Sequence, residues 1–160
     1  MTATIETDSL VAAGTVVGAP RRLLQLEGAI LLAGALTAYT TTHEPWWLIP
    51  LTLLFPDLFA IGYLAGTRVG ANLYNLVHTT ALPAAVIAFA WSQHTPLAGA
   101  LGLIWLAHIG MDRLLGYGLK YDDHFQHTHL GHLGPSDQRS GRQFGTRATA
   151  TGIRDHPDPD

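Results

Sequence analysis

The stretch LAGALGLIWLAHIGMDRLLGYGL, residues 97–119, decides the fold. As a helix it is long enough to cross the roughly 30 Å of bilayer hydrocarbon. Its apolar residues fall on nearly every face, whereas a helix of a soluble bundle keeps a polar stripe. His108, Asp112 and Arg113 interrupt it, and His108 and Asp112 stand one helical turn apart and share a face. Working outward, three more stretches read the same way: Leu23–Tyr39, Trp46–Leu64 and Ala71–Trp91. The pattern predicts an all-α chain, an integral-membrane four-helix bundle.

Composition agrees. The chain has 160 residues, 48% of them hydrophobic and only 13% charged, which leaves room for one domain built around the spans. Residues 1–20 carry Glu6 and Asp8, lack a basic leader and read as a disordered N-terminal tail rather than a signal peptide. Residues 21–134 form the membrane domain with a C-terminal interfacial segment. Residues 135–160, rich in Gly, Ser, Arg, Asp and Pro, read as a disordered C-terminal tail. No basic patch of nucleic-acid type is present, so the expected partners are the lipid bilayer and a small-molecule substrate. Cysteine is absent, which removes disulfides, thiolate metal ligands, iron–sulfur clusters and covalently attached c-type haem.

Charge sets the orientation. Arg21 and Arg22 precede the first span, Arg68 lies between the second and third, and Lys120 follows the fourth. The other two links contain neither Lys nor Arg, so both termini are expected in the cytoplasm of a multi-pass protein of the cell (inner) membrane. Trp46, Trp47 and Trp91 mark the opposite interface. Counting a rise of 1.5 Å per residue from the cytoplasmic ends puts Glu27 about 6–8 Å deep and Asp57 and Asp112 about 10 Å deep. Asn75 and His78 come out at about 7–12 Å and His108 near 16 Å. All lie in the cytoplasmic half, beneath an outer half that is almost wholly aliphatic.

Ionisable groups in hydrocarbon are costly, tend to face the bundle interior and mark function. Asp57, His78, His108 and Asp112 are therefore the candidate catalytic residues, expected to converge within about 10 Å as one another's partners. Imidazole and carboxylate can act as acid–base pairs, His108 with Asp112 and His78 with Asp57. The same four can hold a divalent metal, with zinc, iron or manganese suiting such ligands. Glu27, Asn72, Asn75 and Arg113 are candidates to line the pocket. Pro56 next to Asp57 predicts an irregular helix, and Pro83 leaves the carbonyl of Thr79 without its donor one turn above His78. Gly62, Gly66 and Gly70, spaced by four, favour close helix approach. The His-rich run from His124 to His132 reads as a solvated segment at the membrane surface.

Several stretches carry a family likeness: Pro56-Asp57-Leu58, the run from Asn72 to His78, the run from His108 to Arg113, Gly116 to Tyr121, and Thr128-His129-Leu130-Gly131. In these the chain resembles the domain-of-unknown-function 4260 family of small bacterial integral-membrane proteins, over about residues 20 to 134. The resemblance implies four transmembrane helices and no particular activity. Function thus rests on the residues. The leading expectation is a membrane enzyme whose cytoplasm-facing His/Asp site rearranges, isomerises or cyclises a small, partly apolar metabolite by acid–base chemistry, with or without a metal. The alternatives are a haem- or metal-binding electron-transfer protein, with His78 and His108 as axial ligands, and a proton-relaying transport or accessory subunit.

Overall fold

In the computed structural model, residues 15–132 are described, so most of both expected tails lies outside the described residues. The first helix, α1, covers Gly18–Tyr39 and closes in a short 3-10 turn, Thr40–Thr42. It begins earlier than the expected tail boundary at residue 20, and Val16 donates its amide to the carbonyl of His129, 2.8 Å away. After a loop come α2 (Leu48–Thr52) and a 3-10 helix, Phe55–Ala65. Helices α3 (Thr67–His78), α4 (Ala81–Ser92) and α5 (Pro96–Leu115) follow, and a small antiparallel hairpin, β1 (His127–Thr128) with β2 (Gly131–His132), ends the described chain. Four segments are long and apolar enough to cross a membrane: Gly18–Thr42, Leu48–Ala65, Thr67–Ser92 and Pro96–Leu115. Large apolar side chains such as Leu23, Ile30, Leu51, Ile61 and Leu64 are exposed around them, as a lipid-facing surface requires.

Two of the four spans are interrupted. In the second, α2 stops at Thr52 because Pro56 has no N–H to return to the Thr52 or Leu53 carbonyl. The chain resumes as a 3-10 helix in which Asp57 donates its amide to Leu54. In the third, α3 ends at His78, Thr79 is extended (φ −78°, ψ 139°), and α4 restarts at Ala81. Pro83 is the physical reason, since the Thr79 carbonyl has no donor there. The result is a full break between the two helices. The freed Val77 carbonyl takes the indole N–H of Trp105 at 2.7 Å. Non-helical backbone at membrane depth is tolerated only where protein or a cavity covers it, so both breaks point at an interior site.

Close packing holds α1 on α5 and the 3-10 helix on α3. A Cβ on Gly28 would lie 2.7 Å from the Cβ of Arg113, and one on Gly110 would lie 2.6 Å from the Leu32 amide nitrogen. The two backbones can cross at this distance only because both residues lack side chains. Gly62 and Gly70 likewise bring the 3-10 helix against α3, whereas Gly66 supplies the positive φ (117°) of the link between them. At the end marked by the tryptophans, Tyr39, Leu48, Ala100 and Ile104 form a buried apolar plug. At the other end the hairpin tucks underneath, with Thr128 and Leu130 fully buried. The sequence contained no signal for this hairpin, whose strands are two residues each.

Candidate metal centre

The two helix breaks and one face of α5 meet. Asp57 sits in the first turn of the 3-10 helix, His78 is the last residue of α3, and His108 and Asp112 share a face of α5. One side-chain donor atom from each of the four residues lies within 4.8 Å of all the others. The Nε2 atoms of His78 and His108 are 3.1 Å apart. His78 Nε2 is 3.4 Å from Asp57 Oδ1 and 3.5 Å from Asp112 Oδ2, and the corresponding distances from His108 Nε2 are 3.6 and 3.7 Å.

These separations have a meaning. Ligands bonded to zinc at about 2.0–2.1 Å in a tetrahedron stand roughly 3.3–3.4 Å from one another. Five of the six separations straddle that value and all six lie within 4.8 Å, so the four atoms are gathered closely enough to share one ion.

Protonation adds a second argument. His78 Nδ1 lies 2.8 Å from the carbonyl of Tyr74, an acceptor, so this nitrogen is a donor, and in the neutral ring Nε2 then presents its lone pair inward. A backbone carbonyl fixing the outer nitrogen is the usual support for a metal-bound histidine. The outer nitrogen of His108, Nδ1, is buried and has no hydrogen-bond partner among the described residues. Without a cation at the centre, one imidazole must carry a proton on Nε2 to make the 3.1 Å contact attractive.

Tyr74 completes the wall. Its ring stacks on His78 at 3.6 Å and 10°, and its hydroxyl donates to Asp112 Oδ2 at 3.1 Å. His78, His108 and Asp112 are buried, whereas the Asp57 side chain is 46% exposed. That exposure opens onto a cavity of about 430 Å³, walled also by Asp112, Tyr74, Met111, Phe125 and Lys120. Lys120 is only 6% exposed, with Nζ 3.8 Å from the Phe125 ring centroid, 4.8 Å from that of Tyr74, and donating to the Phe125 carbonyl at 2.9 Å. Burial pushes the Lys120 ammonium pKa down, while Asp112 and Asp57 pull it back up.

The expected pocket residues divide. Asn75 grips the Lys120 backbone with both ends of its amide, accepting from the Lys120 N–H at 2.7 Å and donating to its carbonyl at 2.8 Å. It thus positions Lys120 from outside the four-residue cluster. Arg113 borders a water-sized space shared with His78, Asp112 and His129. Glu27 and Asn72 are exposed and stand apart from the cluster; Glu27 borders a groove with Ile30, Leu31 and Leu106. Two residues went unrecognised as site residues in the sequence. Tyr74 lies one turn before His78, and that spacing was its only signal. Lys120 served there only as a topological charge.

No curated protein and no solved structure matches the chain. The model of a family described only as a domain of unknown function, DUF4260, matches residues 21–133, which takes in every residue of the cluster together with Tyr74 and Lys120, and the chain therefore belongs to the DUF4260 family.

Proposed function

We propose that this protein is a membrane-embedded enzyme that holds one divalent transition-metal ion between Asp57, His78, His108 and Asp112. One observation carries the reading: four donor atoms from three separate elements converge within 4.8 Å, with two imidazole Nε2 atoms facing each other at 3.1 Å. Two imidazoles with two carboxylates suit zinc, iron or manganese. Such an ion supplies Lewis-acid polarisation of a substrate oxygen and lowers the pKa of a bound water. His78 and His108 serve as the buried anchors, and Tyr74 holds Asp112 in place. Asp57, half exposed on the cavity wall, is the ligand that a water or substrate oxygen would most readily displace, and its released carboxylate would then be able to take a proton. Isomerisation, rearrangement or cyclisation of a small, partly apolar molecule fits this arrangement.

The positive-inside distribution of Arg21, Arg22, Arg68 and Lys120 supports a cavity that opens to the cytoplasmic side of the cell membrane, with both termini there. The haem alternative fits less well. With the two Nε2 atoms 3.1 Å apart and two carboxylates within 3.7 Å of them, no slot for a macrocycle lies between the rings. The proton relay fits less well too, because the apolar plug of Tyr39, Leu48, Ala100 and Ile104 closes the other end.

The test is metal analysis of detergent-purified protein, with a cobalt(II) spectrum of the reloaded apoprotein. One ion per chain in the wild type and none in His78→Ala or His108→Ala is the expected result. Wild-type protein that neither retains metal nor takes up cobalt at micromolar concentration refutes the metal centre.

A further inference from the structure

The geometry points to Lys120 as the receptor for the oxyanion of an amphipathic substrate, whose head lies beside the metal centre and whose tail points toward the lipid. This inference rests on the metal reading and names the substrate class for that site. The first argument is charge. Two carboxylates and two neutral imidazoles around a divalent ion sum to zero, which leaves the Lys120 ammonium as an unneutralised charge on the same cavity. Lys120 makes no ion pair within 4.0 Å among the described residues. An ammonium has three donors, and among the described residues the only hydrogen-bond acceptor for this one is the Phe125 carbonyl. A buried cation without a counter-ion is unfavourable, and an incoming anion corrects that.

The second argument is placement. Lys120 follows α5 outside the spans, yet its backbone is pinned by Asn75 and bridged to Thr128. The backbone is therefore held at the cavity by contacts that do not use the side chain's charge, and Nζ lies inside it against the Phe125 carbonyl and the Phe125 and Tyr74 rings. The third is the shape of the cavity mouth. Leu54 and Leu115, each 58% exposed, border it on the side of the spans, while Tyr117 and Phe125 border it near the interface. A molecule with an apolar tail can enter from the bilayer and still bring its head to Lys120. A carboxylate and a phosphate share the chemistry required, and either a free amphipath or an anionic membrane lipid can supply it.

The experiment uses the full chain in phosphatidylcholine nanodiscs. Metal content is measured first, on unliganded protein, and the zinc-loaded protein is then titrated with carboxyl-labelled decanoate, decanol and acetate, read by carbon NMR. Decanoate should bind at least about tenfold more tightly than either control, the difference being a charge-assisted contact plus a buried tail. Lys120→Met should lose at least about tenfold in decanoate affinity at unchanged metal content, because its backbone anchors remain. Lys120→Arg and the exposed-surface control Arg68→Met should retain binding. Equal binding of decanoate and decanol, or undiminished decanoate binding in Lys120→Met, overturns the inference while leaving the metal centre standing. Failure of the unliganded wild type to hold metal removes the metal centre, and with it the charge excess assigned to Lys120. Competition by phosphatidylglycerol in the disc identifies a lipid as the source of the oxyanion; its absence, with decanoate bound, identifies a free amphipath.

Discussion

Replacing Tyr74 by Phe tests the metal centre without touching a ligand. The hydroxyl removed donates to Asp112 Oδ2 at 3.1 Å, and both residues are buried, at 5% and 8% exposure. The ring that remains still stacks on His78, so packing is preserved. A hydrogen bond to a charged acceptor is worth about 1.5–3 kcal/mol, and each 1.4 kcal/mol corresponds to about tenfold in affinity. Loss of a group that orients a ligand typically weakens metal binding by about 10- to 100-fold. The two estimates agree. Tyr74→Phe should therefore bind cobalt about 10- to 100-fold more weakly, with one ion per chain at saturation and unchanged insertion in the membrane. Cobalt titration against a competing chelator measures the constant, with visible absorption reporting the geometry. A dissociation constant within about twofold of wild type would show that Asp112 does not bind the ion, and a purely structural cluster would then be the better account.

Three further outcomes follow from the same geometry. Asp57→Asn should retain more metal than His108→Ala, because Asp57 is half exposed and water can replace it, whereas His108 is fully buried; Glu27→Gln should leave metal content unchanged. Metal content per inserted chain ranks the three, and equal losses would contradict the assigned ligand set. Reporter fusions after His43, Arg68, His94 and Lys120 should alternate, the second and fourth reading cytoplasmic; a C-terminal fusion on the far side would put the cavity on the wrong face. The Asp123 carboxylate is held below its ordinary pKa of 3.8, chiefly by the hydrogen bond with His127, whose Nδ1 is 2.6 Å away. A depressed carboxylate stabilises the fold above its unfolded pKa and loses that contribution as pH falls through the folded value. Protection factors of the Tyr121 and His127 amides, measured against the intrinsic exchange rate at each pH, should fall across that acid window in wild type, and Asp123→Asn should flatten the dependence.

What could be read from the sequence, and what could not, has a physical division. Asp57, His78, His108 and Asp112 stand out in apolar runs because a buried ionisable group needs a partner, and with four at one depth each supplies the others. Counting residues along a helix orders positions along its axis but does not give their rotation once the helix is broken. Span two changes to 3-10 geometry at Phe55, and span three stops at His78, so a 100° wheel drawn through either misplaces its faces. Asn72 lies six residues before His78 on the unbroken α3, about 120° around the helix from it, and is exposed. Glu27 was placed by depth alone, and its helix turns it to a lateral groove. The prolines identified where the breaks fall, but not that Thr79 would become fully extended, which depends on what covers the freed carbonyls.

Asn75 shows the remaining limit. Its partner is the backbone of Lys120, 45 residues away, on a segment whose course no local periodicity describes. An asparagine in a span can bond another helix, a substrate or a loop, and only the folded chain selects among these. The selection matters for function. Through Asn75 the third span fixes where Lys120 enters the cavity, while through Tyr74 and His78 the same span supplies the Asp112 hydrogen bond and one proposed metal ligand. One short helix, α3, therefore positions both the metal centre and the cation beside it. A change that tilts α3, such as a larger residue at Gly62 or Gly70, is expected to disturb metal affinity and anion affinity together, whereas Lys120→Met separates them.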